Sequence, residues 1–229
     1  MGVVHFATLS TGVVHDPLNS FQRHQRKLAH YQRMMARRVK GSQNWKKAKC
    51  KVQKIHARIA NCRRDYLHKL STTISKNHAF VVVEDLKVEN MSKSAAGTIQ
   101  NPGKNVRAKS GLNRSILDQG WGEFRQQLDY KLAWKGGWLL AVPPQNTSRT
   151  CPCFGHLSAE NRKTQSHFEC VKCGFAENAD KVGALNVLAR GYRVLACGED
   201  VRPHRPFKAN EAASVKQEPV EVTWEASCA

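Results

Sequence analysis

Apolar residues recur along this chain at helical spacing in some segments and in short unbroken runs in others. Helical spacing predicts two helices over residues 21–39 and 42–75, joined at Lys40-Gly41-Ser42. A third helix is predicted over residues 112–135, and a short one follows Asp180 and ends at Gly191. The second helix carries one apolar face, which consists of Trp45, Val52, Ile55, Ile59 and Tyr66.

Unbroken apolar runs predict the strands. Residues 3–9 and 12–15 read as two short neighbouring strands, and residues 78–86 and 138–142 as buried strands of a covered sheet. A helix N-cap is predicted at Asn19 or Ser20. Residues 90–111, rich in Ser, Gly, Asn and Lys, are typical of a mobile basic loop.

The charge of the chain indicates what kind of partner it binds. The formal net charge is +19, and residues 22–69 hold sixteen Lys and Arg against one acid, a net +15. Such an excess indicates a polyanion partner, most simply nucleic acid. The alternative is a helical hairpin whose charges only keep it solvated. Among these cations Arg33, Arg37, Arg38, Lys46 and Lys47 are the candidate nucleic-acid contacts, together with Arg149 further along the chain.

Length and composition limit the class of protein. The 229 residues suit one domain with a small insert, and no apolar run approaches the roughly 18 residues of a membrane span. The N-terminus lacks the pattern of a secretory signal. Cys50, Cys62, Cys197 and Cys228 show no pairing logic, which favours a reducing cytoplasm. No membrane partner is expected, and the oligomeric state stays open.

Two close cysteine pairs, Cys151/Cys153 and Cys170/Cys173, flank a polar loop. Pairs separated by roughly 15 to 20 residues are typical of a zinc ribbon, because a tetrahedral ion needs two turns that each present two thiolates. The first pair departs from the pattern. A Cys-Pro-x-Cys-Gly turn would place its second thiolate at position 154, where this chain has Phe154. Cys153 can ligate only if the turn deforms, or else His156 substitutes for it.

Two acids stand at the ends of predicted elements. Glu84 lies near the C-terminal end of the strand predicted over residues 78–86, and the C-terminal ends of strands are where open α/β sheets usually bind ligands. Asp180 opens the helix that follows the ribbon. Each has an ordinary interpretation: Glu84 as a bland strand end, and Asp180 as a residue that caps the helix or compensates its dipole. The functional alternative makes both of them metal ligands.

Several motifs resemble one family. They include His5-Phe6-Ala7-Thr8-Leu9-Ser10, Val83-Glu84-Asp85-Leu86, Asn101-Pro102-Gly103-Lys104-Asn105, Gln145 through Pro152, and Asn178-Ala179-Asp180 through Asn186. From about Gly2 to Cys197 the chain resembles the C-terminal portion of TnpB (OrfB) transposon-encoded proteins, relatives of the type V CRISPR effectors.

The resemblance implies an α/β fold of the RNase H-like (RuvC) type, a mixed sheet with flanking helices. It implies a nuclease core over residues 1–145 and 175–195 with the basic helical hairpin at 21–75, a zinc-ribbon insert over 146–174 that binds target nucleic acid, and a disordered tail over 197–229. The family cuts DNA under the guidance of an RNA. Its carboxylates hold two divalent ions, Mg²⁺ in the family, and Glu84 and Asp180 match the second and third of them.

The family's first acid, an aspartate on the first strand, would lie before Met1, and Asp16 stands on the wrong element to replace it. The sequence therefore predicts weak Mg²⁺ binding and little cleavage by this chain alone. Two alternatives remain beside the nuclease. One is a truncated remnant that binds nucleic acid without cutting it, and the other is a degraded reading frame with no selected role.

Overall fold

The computed structural model describes residues 1–197. The helices are α1 (Ser20–Ala36), α2 (Gln43–Asn77), α3 (Val88–Met91), α4 (Val106–Gln119), α5 (Trp121–Ala133) and α6 (Ala179–Cys197). The strands are β1 (Ala7–Thr8), β2 (Val14–His15), β3 (Phe80–Glu84), β4 (Trp138–Val142), β5 (His167–Glu169) and β6 (Ala176–Asn178). The fold is therefore a mixture of helices and sheets, as predicted, but the described strands form small separate sheets and not the one mixed sheet that the resemblance implies.

The strands of the described residues pair as three two-stranded sheets, β1 with β2, β3 with β4, and β5 with β6. In the second sheet the N–H of Trp138 donates to the carbonyl of Ala79, and the N–H of Asp85 donates to Val142. These bonds join the start of β3 to the start of β4 and the end to the end, so the two strands run parallel. In the third sheet β5 and β6 pair antiparallel, with Phe168 opposite Glu177.

The described chain divides into two compact units. The first comprises residues 1–7, 14–80 and 86–138 and holds the helices α1 to α5. The second comprises residues 8–13, 81–85 and the chain from 139 onward, and it holds most of β3 and β4 together with β5, β6 and α6. The division of the chain into nuclease core and insert stays a prediction.

The predicted basic hairpin is present as α1 and α2. Its helices pack through a cluster of Leu28, Val52, Ile55 and Ile59, with Phe21 and Tyr31 at its edge. The apolar face read from the sequence of α2 is thus the buried one, which confirms the helical spacing. Residues 40 and 41 form the turn, and the side chain of Ser42 accepts a hydrogen bond from the Trp45 N–H as an N-cap.

The start of α1 corrects one prediction. Asn19 holds the N-cap position, but its backbone is left-handed and its side chain makes no capping bond. Instead, both carboxylate oxygens of Asp118 lie within 3.0 Å of the Phe21 N–H, and Arg63 lies 3.7 Å from the same carboxylate. The cap comes from a residue 97 positions away in sequence, and local spacing could not have shown it.

The helix predicted over residues 112–135 is two helices. Gly120 adopts a left-handed backbone with φ 72° and separates α4 from α5. The break shifts the phase of the apolar face, so that Leu117 is exposed and its neighbour Ile116 is buried. A β-carbon on residue 120 would also lie 3.2 Å from side-chain atoms of Arg63 and Leu67. Glycine therefore fits here for both conformation and space.

Three other boundaries differ from the prediction. The segment 90–111 is not wholly a loop, since α3 extends to Met91 and α4 begins at Val106. The strand predicted over residues 3–9 is only two residues long in β1. The helix α6 does not end at Gly191 but runs through it. A β-carbon on residue 191 would lie 2.4 Å from Cγ2 of Val82, so this glycine serves close packing rather than helix termination.

The sequence predicts that β3 and β4 are buried strands, but only Val83 in β3 and Leu140 and Val142 in β4 are buried. Within residues 1–197 no helix combines the length and apolar character needed to cross a membrane. The predicted tail begins one residue too early, because Cys197 is the last residue of α6. The remainder of that tail lies outside the described residues.

Candidate functional site

The ribbon is built on the antiparallel pair β5 and β6 and the first turn of α6. Its interior is small: Phe168, Ala179 and Val182 are buried together with the sulfur-bearing residues Cys151 and Cys170. Phe175 packs against this cluster and lies 6.2 Å from the Phe168 ring. So few apolar side chains bury little surface, which is why small modules of this kind usually depend on a metal ion.

Three of the four predicted metal ligands come together. The sulfur atoms of Cys151, Cys170 and Cys173 all lie within 4.8 Å of one another, and Cys151 Sγ lies 3.5 Å from Cys173 Sγ. This is the one group of at least three His, Cys, Asp or Glu side chains at such distances within residues 1–197. The structure does not bring Cys153 into the group, and its side chain is exposed.

The geometry of the three sulfurs fits a tetrahedral ion. With zinc–sulfur bonds of about 2.3 Å, sulfurs on neighbouring corners of a tetrahedron lie about 3.8 Å apart. The 3.5 Å between Cys151 Sγ and Cys173 Sγ is close to that value, and no pair of the three sulfurs is more than 4.8 Å apart. The Cys cluster could therefore bind a metal such as zinc.

The pKa values of two of these thiols, Cys170 and Cys173, shift in opposite directions. Burial raises the pKa of Cys170, but hydrogen bonds from the backbone N–H groups of Cys173 and Lys172 outweigh it, so that the pKa is lowered. At Cys173 a backbone hydrogen bond from Phe175 lowers the pKa. Desolvation and the thiols of Cys151 and Cys170 together raise it by more, so that the resulting pKa is about 11. A thiol must lose its proton to ligate a metal, so metal binding at this cluster releases protons.

Asn161 holds the two cysteine turns together. It is completely buried, and its amide nitrogen donates to the backbone carbonyls of Arg149 and His156 at 2.9 and 3.0 Å. Its side-chain oxygen accepts the N–H of Val171 at 3.0 Å, in the second turn. The sequence does not predict this role, because an asparagine in a polar loop gives no signal of burial.

A second buried asparagine joins the ribbon to α6. Asn186 donates to the carbonyls of Thr147 and Thr150, both at 2.7 Å, just before the first cysteine. Here a signal was available, because Asn186 stands among apolar residues of the predicted helix and must find partners when buried.

The two candidate acids occupy the predicted elements. Glu84 is the last residue of β3 and Asp180 is the second residue of α6, and both are half-buried in the second unit. Capping does not explain Asp180. The side-chain oxygen of Asn178 accepts the N–H groups of Asp180 at 2.9 Å and Lys181 at 3.4 Å, so Asn178 is the cap.

The candidate nucleic-acid contacts are all exposed. They are Arg33, Arg37 and Arg38 at the end of α1, Lys46 and Lys47 at the start of α2, and Arg149 before the first cysteine turn. The first five therefore cluster near the turn of the hairpin. Cations there also contact aromatic rings, since Lys49 lies 5.2 Å from the Trp45 ring centre.

Three features together define the class of protein: a basic helical hairpin, the small sheets that follow it, and a cysteine cluster that could bind a metal. A family model described as "Probable transposase" (OrfB_IS605) matches residues 1–95. A second model, "Cas12f1-like, TNB domain", matches residues 121–187, which include the three clustered cysteines. The chain is thus similar to OrfB/TnpB proteins over residues 1–95 and to a Cas12f1-like domain over residues 121–187, which confirms the resemblance found in the sequence.

Individual relatives agree with this assignment. The chain is 59% identical over 96% of its length to "Putative RNA-guided DNA endonuclease InsQ" of Escherichia coli K12, of which it covers 53%. It is 37% identical over 97% of its length to "Putative RNA-guided DNA endonuclease" of Streptomyces pristinaespiralis, of which it covers 52%. The chain thus spans about half the length of these curated relatives.

Part of the chain is also similar to a solved structure. A chain from a cryo-EM structure of a Cas12f1-sgRNA-target DNA complex matches with a TM-score of 0.49 and 21% identity. The match covers 76% of this chain and 43% of that one.

Proposed function

We propose that this chain is part of a transposon-associated, RNA-guided DNA endonuclease. The observation that carries the proposal is its 59% identity, over 96% of the chain, to a protein named as an RNA-guided DNA endonuclease. In this proposal the core is of the RNase H-like (RuvC) type, DNA is the substrate, and a guide RNA is the second nucleic-acid partner. The protein acts in a reducing cytoplasm, where the ribbon thiols stay available for metal.

Glu84 and Asp180 are the proposed catalytic carboxylates. Glu84 lies at the end of a strand that pairs in parallel with β4, the edge at which α/β sheets carry ligands. Asp180 lies in the first turn of α6 and is left available by the Asn178 cap. Two divalent ions, with Mg²⁺ the proposed metal, would activate the attacking water and stabilise the leaving oxygen. The chain's own part is to hold carboxylate oxygens where those ions bind.

The basic hairpin is the proposed phosphate-binding surface. Its apolar cluster faces inward, and its candidate contacts Arg33, Arg37, Arg38, Lys46 and Lys47 are exposed. Phosphates neutralised by these cations would release condensed counterions, which gives binding a steep dependence on salt. Arg149 would extend the contact from the ribbon to the target.

Zinc is the proposed ion of the ribbon, bound by Cys151, Cys170 and Cys173. Its role is structural, because the ribbon's buried apolar cluster is small. Elemental analysis of chain purified without added metal is expected to find about one zinc per chain, and removal by a chelator is expected to loosen the ribbon.

Cleavage is tested with the full chain, a guide RNA transcribed from its element, and a matching DNA target with Mg²⁺. The small Mg²⁺-dependent cleavage that the sequence predicts for this chain is expected to be lost in Glu84→Gln and in Asp180→Asn. Nucleic-acid binding should stay intact, because each substitution removes one metal-binding charge and almost no volume. Glu89→Gln, an exposed acid on α3, is the matched control and is expected to leave cleavage unchanged. Cleavage that survives both Glu84→Gln and Asp180→Asn would contradict the proposed active site.

A second function is nucleic-acid binding without cleavage. One observation favours it: within residues 1–197, Glu84 and Asp180 do not gather with a third ligand side chain as the cysteines do. This function predicts salt-sensitive binding of guide RNA or DNA and no metal-dependent cleavage in the same assay. The two functions therefore differ in one measured product, the cut strand.

A further inference from the structure

The two cysteine turns of the ribbon have the same backbone. In the first, the N–H of Cys151 donates to the carbonyl of His156 at 2.9 Å, and the N–H of Gly155 donates to Cys151 at 2.9 Å. In the second, the N–H of Cys170 donates to Phe175 at 2.8 Å, and the N–H of Gly174 donates to Cys170 at 2.9 Å. The two glycines share a left-handed backbone, with φ 68° and 73°.

This match assigns each residue of one turn to a residue of the other. Cys151 corresponds to Cys170, and Gly155 corresponds to Gly174. It follows that Phe154 holds the place of Cys173, whose sulfur belongs to the cluster. Cys153 instead holds the place of Lys172, and both of those side chains are exposed. The first turn has not deformed to bring Cys153 inward, because its backbone hydrogen bonds are those of the intact turn.

We infer that this chain binds zinc through only three protein thiolates and leaves the fourth tetrahedral position, on the side of Phe154, to an exchangeable small ligand. The inference rests on the zinc ion of the proposed function and adds its coordination. Neither the Cys153 thiol nor the His156 ring joins the group of ligand atoms. Phe154 is 67% exposed and its ring offers no donor atom to a metal, so a ligand can reach that side from solvent.

Three protein ligands and one open position are the arrangement of zinc sites that exchange water. The chemical class of ligand is therefore a small anion or neutral donor such as azide, imidazole or a thiol. Binding is a ligand exchange in which the entering group replaces one water, and no electrons are transferred. A ribbon with four thiolates has no open position at the zinc ion and would not bind these ligands.

Cobalt(II) loaded into the full chain reports the coordination through its visible spectrum. For the unsubstituted chain, azide or imidazole is expected to change this spectrum saturably. Phe154→Cys is expected to abolish that response and to tighten zinc binding on the order of a hundredfold in a chelator competition, because a fourth thiolate completes the tetrahedron. Cys173→Ser is expected to weaken binding by a similar factor.

Two matched controls test the assignment of the turns. Cys153→Ser removes a thiol at the outward position of the first turn, and Lys172→Cys adds one at the corresponding position of the second. Both are expected to leave zinc affinity and the azide response unchanged. If Cys153→Ser or His156→Ala instead weakens zinc as much as Cys173→Ser does, that residue is the fourth ligand and the inference is overturned.

These experiments distinguish failure of the open fourth position from failure of the proposed zinc ion itself. Metal binding by the unsubstituted chain without any response to azide or imidazole would overturn the open position and leave the zinc proposal standing. Metal binding by Phe154→Cys alone would support the assignment of position 154 and contradict zinc in the unsubstituted ribbon. Failure of both chains to bind metal would overturn both proposals.

Discussion

The basic hairpin and the ribbon achieve order by opposite means. The hairpin has long helices, an apolar cluster of Leu28, Val52, Ile55 and Ile59, and an outer surface dominated by cations. The ribbon has strands of three residues, and its interior combines sulfur atoms and a buried amide with a few apolar side chains. Apolar spacing therefore specifies the hairpin, whereas polar and metal-binding groups specify the ribbon.

Because of this difference, substitutions in the hairpin and in the ribbon should affect the protein in different ways. Exposed charges of the hairpin can change with little effect on folding, since surface substitutions usually cost less than about 0.5 kcal/mol. Buried polar groups of the ribbon cannot be changed with so little effect, because removing one leaves its partner without a hydrogen bond in a place that water does not reach. The comparison predicts that hairpin substitutions alter binding first and ribbon substitutions alter stability first.

The largest expected effect is on binding by the hairpin. A variant in which Gln replaces Arg33, Arg37, Arg38, Lys46 and Lys47 is expected to bind nucleic acid on the order of 10³-fold more weakly near 0.1 M salt. Each lost phosphate contact removes the release of counterions, which weakens binding and also lowers the dependence of binding on salt. Filter binding across a salt series measures both quantities, and the thermal midpoint should stay nearly unchanged. Lys at the three arginine positions is the charge-preserving control. An unaltered salt slope in the Gln variant would place the binding surface elsewhere.

Asp118 is the exception that sharpens the comparison, since it is a buried charge that serves the hairpin. Asp118→Ala removes the acceptor of the Phe21 N–H and leaves Arg63 without its partner. We expect a loss of about 3 kcal/mol in the free energy of unfolding, measured by urea denaturation. Asp65→Ala, an exposed acid paired with Lys69, is the control and should cost less than about 1 kcal/mol. Equal effects of the two would refute the capping role.

Asn161→Ala is expected to cost about 2 kcal/mol, because it removes two hydrogen bonds from the completely buried amide to backbone carbonyls and takes away the acceptor of the Val171 N–H. Faster hydrogen exchange at Val171 should accompany the loss, and exchange within the hairpin should not change. Asn146→Ala replaces an exposed asparagine of the same segment as the control, although its left-handed backbone adds a small cost of its own. Unchanged exchange at Val171 would count against a tie between the two turns.

The smallest effect concerns pH. Burial lowers the pKa of Lys131, whose ammonium group donates to the His68 carbonyl and to the hydroxyls of Ser71 and Thr72. The unfolded chain holds this proton up to its ordinary pKa of 10.5, and the folded chain loses it at lower pH. The contribution of Lys131 to stability therefore rises with pH between the folded pKa and 10.5. Lys131→Met should lack this rise when urea midpoints are compared from pH 7 to 10.5, and parallel curves would contradict it.

The sequence predicted what depends on repeated local spacing. It identified both hairpin helices, the strands around Val83 and Leu140, and the three cysteines that cluster, because each follows from a period or a short motif. It missed the break at Gly120, since a continuous helical spacing accommodates the same apolar residues on either side. It also missed Asp118 and Asn161, whose partners lie far away along the chain or in backbone groups that have no sequence signature.

The length of α2 sets a scale for any polyanion that binds along it. Its 35 residues make a rod about 52 Å long, at 1.5 Å per residue. A DNA duplex passes about 15 base pairs in that distance, which is roughly one and a half helical turns and some 30 phosphates. A duplex lying parallel to this rod would present phosphates to it in two separate patches, one for each approach of the backbone. Shortening the helix by one turn, about 5.4 Å, would shorten the length of duplex that it can follow by roughly one and a half base pairs.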